Sequence, residues 1–254
     1  MKKLFFAALL LAWAVPALAQ ENPIATLSHD PGWCTIIHRW GFIGDSLCSG
    51  EHEYYRADST KVWDDIYDYS WGQRMIAAIG GAQGFNFSQG GETAKGWIDH
   101  FWDYPMNRNA DIRAKEHPCQ AYIMALGCND KNKFEAGNAF TDINLADYTK
   151  NAGTFAGYYG GIIQRVRTLR PQAPIFVVTL PTLYGNEAFS AQIRAMAEIF
   201  DNIYVLDLER YAALASGENP QMPMIIEHLD TDDEYIASVQ YVKSRIGRYI
   251  PKMS

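Results

Sequence analysis

Apolar segments that end in turns rich in glycine, serine and asparagine alternate with helical segments along this 254-residue chain. The segment at 174–180 is rich in β-branched residues, which is typical of a buried strand. Such alternation indicates an α/β fold, in which helices cover both faces of a parallel sheet. Five strands are predicted, at 39–43, 84–88, 121–126, 174–180 and 203–208.

Between and after these strands, apolar residues recur at helical spacing. They predict helices at 70–79, 147–169, 187–200 and 232–249, the first ended by a pair of glycines and the second stopping before a proline. The segment 51–69 differs, because its aromatic and charged residues follow no regular period. We predict that it forms an extended loop or lid beside the first strand.

The first 19 residues predict an exported protein. Two lysines at positions 2 and 3 precede a short apolar run, and Ala17-Leu18-Ala19 provides a small-x-small cleavage pattern. We expect residues 1–19 to be a secretory signal peptide and residues 20–254 to form one domain in the periplasm or outside the cell. The net charge of −7 becomes more negative once the two lysines are removed. Nothing therefore favours binding to nucleic acid, or membrane insertion after signal removal.

Four cysteines, Cys34, Cys48, Cys119 and Cys128, suggest disulfides in an exported protein. Four cysteines allow three pairings. If the strands that follow Cys34 and Cys119 are neighbours, the pairs 34–119 and 48–128 are favoured, at the amino and carboxyl edges of the sheet. Zinc is an alternative, with ligands from 34–38 and 117–119, but neither spacing is a recognised zinc knuckle and no metal is expected.

Four residues that suit acyl transfer fall at strand ends or in a late loop. Ser46 follows the first strand, Gly91 and Asn129 follow the second and third, and His228 precedes the last helix. Acyl transfer needs a nucleophile, a base and donors for the oxyanion. We assign Ser46 as nucleophile, His228 as base, and the backbone N–H groups of Ser46 and Gly91 with the Asn129 amide as oxyanion hole. Asp45 and Asp130 are expected to fix loop geometry.

These residues lie in motifs that resemble the GDSL, or SGNH, hydrolases. Gly44-Asp45-Ser46-Leu47 resembles the first block of that family, the stretch from Asn86 through Gly91 to Thr93 the second, and Gly127-x-Asn129-Asp130 the third. His228 is similar to the histidine of the fifth block. The resemblance spans nearly the whole mature chain. It implies a flavodoxin-like three-layer α/β/α sandwich, no cofactor, and serine hydrolysis of esters.

The fifth block departs from the family pattern. The family usually carries aspartate three residues before its histidine, where this chain has Ile225. Asp230 and Glu227 are the nearby acids that could orient His228, although adjacent side chains of an extended segment point to opposite faces. We therefore expect a Ser46–His228 dyad, with a backbone carbonyl or one of these carboxylates holding the imidazole tautomer.

Two features favour a carbohydrate ester as substrate. The chain is exported and acidic without an amphipathic lid, and the 51–69 segment offers Tyr54, Tyr55 and Trp63 for stacking on sugar rings. We predict an O-acetylesterase that acts on an acylated glycan or small molecule. A periplasmic lipid or thioester hydrolase is one alternative. A glycan-binding module with an inactive hydrolase site is another, mildly supported by Ile225. The sequence does not indicate the oligomeric state.

Overall fold

The sheet predicted from the sequence is present. A computed structural model describes residues 32–102, 114–180 and 187–209. The strands in this part of the chain are β1 (Arg39–Gly44), β2 (Glu51–Tyr55), β3 (Lys61–Asp65), β4 (Gln83–Ser88), β5 (Ala121–Ala125), β6 (Ile175–Val178) and β7 (Ile203–Leu206). Five of them form a parallel sheet in the order β4-β1-β5-β6-β7, and β2 and β3 form a separate antiparallel hairpin.

Helices cover both faces of the sheet, as the three-layer prediction requires. They are α1 (Ser46–Ser49), α2 (Trp71–Ile79), α3 (Ala94–His100), α4 (Ala139–Asp142), α5 (Phe155–Leu169) and α6 (Glu187–Ile199). Short 3-10 helices occur at Gly32–Ile36, Tyr67–Tyr69, Ala114–Glu116, Asp130–Asn132 and Tyr148–Lys150. The three-layer α/β/α prediction is confirmed.

Alternating strand residues divide the core into two clusters, because successive side chains of a strand point to opposite faces. Phe42 of β1 packs on the face covered by α2, where its ring meets Trp71 edge-on at 5.3 Å between centroids. The next residue, Ile43, packs on the opposite face with residues of α3, α5 and α6. All three side chains are buried. The sheet is therefore apolar on both sides, as expected for parallel strands.

Two predicted elements differ from the structure. Segment 51–69 is an ordered hairpin followed by a 3-10 helix, rather than an irregular loop. The helix predicted at 147–169 begins only at Phe155, because the Thr154 side chain caps it by accepting the amide N–H of Gly157 at 3.2 Å. Asp147 caps a separate 3-10 helix before it. The helix predicted at 232–249 lies outside the described residues.

Hydrogen bonds join the first turn of α3 to the ends of two strands. Asp130, fully buried in the turn after β5, accepts the backbone N–H of Ala94 with both carboxylate oxygens, at 3.0 and 3.2 Å. The indole of Trp97 donates to the carbonyl of Phe87 in β4 at 2.8 Å. Burial raises the pKa of Asp130 from 3.8 to about 7, although the bond from Ala94 opposes that rise.

Asp130 should therefore make stability depend on pH. The folded state holds the proton up to a higher pH than the unfolded chain, so its stabilising effect is complete below about pH 4 and is lost as pH rises towards 7. Relative to Asp130→Asn, the free energy of unfolding of the wild type should fall by up to about 1.4 kcal/mol per pH unit across this window. Urea denaturation of both proteins between pH 4 and 8 measures the difference, and parallel pH curves would contradict it.

Candidate active site

The register of the sheet brings three turns together at one edge. Gly44 at the end of β1 pairs with Ser88 of β4 on one side and with Ala125 of β5 on the other. The carboxyl ends of these three strands are therefore level. In an open parallel sheet, ligands bind outside this edge, where neighbouring strands connect in opposite directions. The turns that carry Ser46, Gly91 and Asn129 all begin there.

Ser46 is the first residue of α1 and is half-buried. The preceding Asp45 caps the helix, because its Oδ1 accepts the amide N–H of Leu47 at 3.1 Å. This contact confirms the predicted loop-fixing role of Asp45. Gly44 must be glycine for α1 to fold back so tightly, since a Cβ there would lie 2.3 Å from the Cβ of Cys48 and 2.9 Å from the carbonyl oxygen of Ala125.

Gly91 lies in a tight turn at the end of β4. The amide N–H of Glu92 donates to the carbonyl of Gln89 at 3.2 Å, which closes the turn. Gly91 is its third residue and has φ = 76°, a conformation that a type II turn requires and that favours glycine. A side chain at Gly91 would have open space around it, so the backbone angle, rather than crowding, explains the glycine.

Asn129 is bonded directly to this turn. Its side-chain amide donates to the carbonyl of Glu92 at 3.0 Å, which places the third motif against the second. The amide has two N–H donors, so the second N–H remains available for another acceptor. In the described part of the chain, the backbone N–H groups of Ser46 and Gly91 donate no hydrogen bond. Uncharged donors at one sheet edge are what an oxyanion hole needs.

The predicted base lies outside the described residues. His228, Glu227, Asp230 and Ile225 all fall in the part of the chain after residue 209, so the dyad and its orienting group stay predictions. Another histidine does lie near the turn that carries Gly91: the Nδ1 atom of His100 is 3.1 Å from Oε2 of the buried Glu92. The sequence analysis did not single out this pair.

The hairpin divides the predicted aromatic residues between its two faces. Cross-strand pairs and alternate residues share a face, so Tyr55, Lys61 and Trp63 lie on one side and Tyr54 on the other. Tyr55 and Trp63 are 64% and 42% exposed, and the Lys61 ammonium lies 4.6 Å from the centre of the Trp63 ring. The Tyr54 hydroxyl instead donates to Asp64 at 2.6 Å.

Glu51 and Asp65, paired at the base of the hairpin, share the face of Trp63. Asp65 accepts hydrogen bonds from Ser49 of α1 and from the amide of Gly90. Asp65 was not predicted as a site residue, because the pairing of 51–55 with 61–65 was not predicted. Neither run has the regular alternation of apolar and polar residues that indicates a strand, so the sequence offers no signal for this pairing.

The predicted disulfides, 34–119 and 48–128, are not formed in the structure, in which all four cysteines are thiols. Cys34 and Cys119 precede β1 and β5, as expected, but they pack in core clusters on opposite faces of the sheet. Burial raises the pKa of Cys48 and of Cys119 to about 12, which keeps both thiols protonated at neutral pH. The pairing stays a prediction for the oxidised protein.

The described ranges, 32–102, 114–180 and 187–209, contain neither a cluster of metal-binding side chains nor a membrane-spanning helix. No group of three or more histidine, cysteine, aspartate or glutamate side chains in these ranges could hold a metal ion. No helix there is long and apolar enough to cross a membrane.

Comparison with solved structures identifies the fold. The chain superposes with TM-score 0.50 on a GDSL-like lipase from Bacteroides uniformis at 15% identity, covering 85% of this chain and 96% of that one. A possible lipase from Chitinophaga pinensis gives the same score at 16% identity, covering 84% and 98% of the two chains.

A third similar structure is that of a family two carbohydrate esterase from Clostridium thermocellum, solved as an active-site mutant. It has TM-score 0.50 and 16% identity over 85% of this chain, which spans 63% of the length of that enzyme. No protein-family model matches the sequence, and no curated protein matches it either. The parallel five-stranded sheet with flanking helices and these structural neighbours show that the chain has the SGNH-hydrolase fold.

Proposed function

We propose that this chain is an exported serine esterase that removes acyl groups, in the first place acetyl, from carbohydrates. The observation that carries the proposal is the convergence of Ser46, Gly91 and Asn129 at the carboxyl ends of three neighbouring strands. The bond from the Asn129 amide to Glu92 supports it further, because it fixes two oxyanion donors beside each other. Fold alone does not define an activity, so the proposal rests on this arrangement.

In the proposed reaction, the hydroxyl oxygen of Ser46 attacks the ester carbonyl carbon while His228 takes the hydroxyl proton. Negative charge then develops on the carbonyl oxygen, where the N–H groups of Ser46, Gly91 and Asn129 stabilise it. His228 returns the proton to the leaving sugar oxygen, which leaves an acyl-serine. Water, deprotonated by the same histidine, attacks this intermediate and releases the carboxylic acid and the free serine.

The hairpin supports a carbohydrate as the alcohol part of the ester. Tyr55 and Trp63 expose flat apolar rings on one face, and the base of that face contacts the oxyanion turn through Asp65. The carbohydrate esterase from Clostridium thermocellum was solved with cellohexaose, which is consistent with such a substrate. The lipase descriptions of other neighbours keep lipid esters as the alternative that a chain-length series would reveal.

Ser46→Ala should abolish hydrolysis, since it removes the attacking oxygen while the residue stays only half-buried and its loss leaves no core cavity. His228→Ala should do the same, because no other base is assigned. Release of p-nitrophenol from acetyl and longer-chain esters measures turnover, with melting temperature as the check on folding. Acetate-selective hydrolysis lost in both variants is the expected result. Preference for long chains would support a lipid hydrolase, and turnover by Ser46→Ala would overturn the mechanism.

Asn129→Ala should reduce kcat by roughly 10²- to 10³-fold, the loss typical of one oxyanion donor. The matched control is Asn132→Ala, an exposed asparagine of the same turn, which should keep wild-type turnover. Steady-state hydrolysis of p-nitrophenyl acetate measures both. Full activity in Asn129→Ala would remove this residue from the oxyanion hole.

Tyr55→Ala with Trp63→Ala should weaken the use of acetylated polysaccharide but not of p-nitrophenyl acetate, which is too small to reach the hairpin tip. We expect KM for the polysaccharide to rise about tenfold, equivalent to ~1.4 kcal/mol of binding. Phe140→Ala, which removes an aromatic ring that is 61% exposed on α4, is the control. Acetate release from acetylated xylan supplies the measurement, and equal KM values for the double variant and the control would contradict sugar stacking on this face.

A further inference from the structure

A short series of polar contacts connects Ser46 to the turn that carries Gly91, through the base of the hairpin. The hydroxyl of Ser49 donates to Oδ1 of Asp65 at 2.5 Å and also lies 3.2 Å from the backbone carbonyl of Ser46. The same Oδ1 accepts the amide N–H of Gly90 at 3.0 Å. The side chains of Ser49 and Asp65 therefore connect Ser46 to Gly90, the residue immediately before Gly91.

The two side chains of this series are held in different ways. Ser49 is fully buried, so losing Asp65 would leave its hydroxyl in the interior with a weaker set of partners, which is unfavourable. Asp65 is the last residue of β3, and its pairing with Glu51 fixes its backbone at the base of the hairpin. One carboxylate oxygen therefore receives two donors from two different segments of the site.

The turn that Asp65 contacts is closed by one backbone hydrogen bond of its own and is built from flexible residues. Its two central residues, Gly90 and Gly91, are glycines, which lose more conformational freedom on ordering than any other residue. The N–H of Gly91 belongs to the peptide between them. Turns of types I and II differ by a flip of this central peptide, and only the positive φ of Gly91 distinguishes the observed form. A flip of this peptide would reverse the direction of the Gly91 N–H, which is one of the proposed oxyanion donors.

Gly90 is also closely approached by the hairpin. A Cβ at this position would lie 1.6 Å from Oε2 of Glu51, so the base of the hairpin packs directly on the backbone of the turn. Glu51 contacts the turn on one side, and Asp65 accepts a hydrogen bond from it. The turn therefore has little freedom to move relative to α1. The base of the hairpin therefore contacts the turn that carries Gly91, while its tip extends away from that turn.

We propose that Asp65 is a positioning residue for the oxyanion hole: its Oδ1 holds the Gly90–Gly91 turn at a fixed distance from Ser46. The inference rests on the proposed esterase function and adds a residue outside the recognised motifs. Asp65 acts by orienting the N–H of Gly91 and does not itself touch the substrate. Its loss should therefore lower kcat, which reports the chemical step, and leave KM nearly unchanged.

The test compares variants that remove or keep the acceptor oxygen. Asp65→Ala should lower kcat for p-nitrophenyl acetate by about 10- to 100-fold, the cost of a misplaced catalytic group, with KM within about twofold. Asp65→Asn retains Oδ1 and should stay within about threefold of the wild type. Ser49→Ala, which loses one of the two donors, should fall between them. Asp58→Ala removes a carboxylate of the same hairpin that accepts the Thr60 amide, and it should leave kcat unchanged.

A second readout separates positioning from partial unfolding. An alkylboronic acid forms a tetrahedral adduct with a catalytic serine and places a negative oxygen in the oxyanion hole. Its inhibition constant does not depend on the amount of folded enzyme. It should rise in Asp65→Ala by about the factor by which kcat falls, and remain near the wild-type value in Asp65→Asn and Asp58→Ala.

Three results would overturn the proposal. They are full kcat in Asp65→Ala, equal losses in the alanine and asparagine variants, and an inhibition constant that stays constant while kcat falls. Ser46→Ala is assayed in parallel. If it abolishes turnover while Asp65→Ala keeps the full wild-type kcat, only the positioning role fails. If Ser46→Ala retains turnover, the proposed function fails, and the positioning role fails with it.

Discussion

Parallel pairing of β1 with β4 on one side and β5 on the other is the interaction on which the candidate site depends. The pairing aligns Gly44 with Ser88 and Ala125, so the turns that follow all start at the same height. A shift of one residue in either pairing would turn every side chain of that strand to the other face. The buried residues of β1 forbid this, since Phe42 and Ile43 fit different core clusters. Core packing thus sets the geometry of the polar edge.

Beneath this edge lies a layer of buried polar side chains, each held by backbone groups. Asn86 donates to the carbonyl of Cys48 at 3.0 Å and to the hydroxyl of Ser70 at 3.2 Å, and Asp130 binds the start of α3. Burying such groups costs free energy unless hydrogen bonds compensate. Because they are compensated here, they fix the turns in place. The candidate site is therefore supported by buried hydrogen bonds as well as by contacts between its loops.

Much of this arrangement follows from local sequence. Strands and their turns could be predicted because apolar runs end at Gly44, Ser88 and Leu126, and a parallel sheet must bring those ends together. Ser46, Gly91 and Asn129 were found in this way. The first residue of a helix was harder to predict than a strand. Apolar residues recur at helical spacing from 147 to 169, but the Thr154 side chain caps a helix that begins only at Phe155. Asp65 could not be found at all, because its partners are distant in sequence and its role depends on how the hairpin packs.

The base and the tip of the hairpin differ in their contacts with the rest of the protein. At the base, Glu51 and Asp65 contact the turn that carries Gly91, so sequence changes there would disturb the candidate site. At the tip, the 56–60 turn and the neighbouring rings of Tyr55 and Trp63 are exposed. Changes in the length or composition of the tip would therefore leave the contacts of the base in place. If the chain is the esterase proposed above, replacement of the tip offers a route to a new substrate preference with the geometry of the candidate site kept.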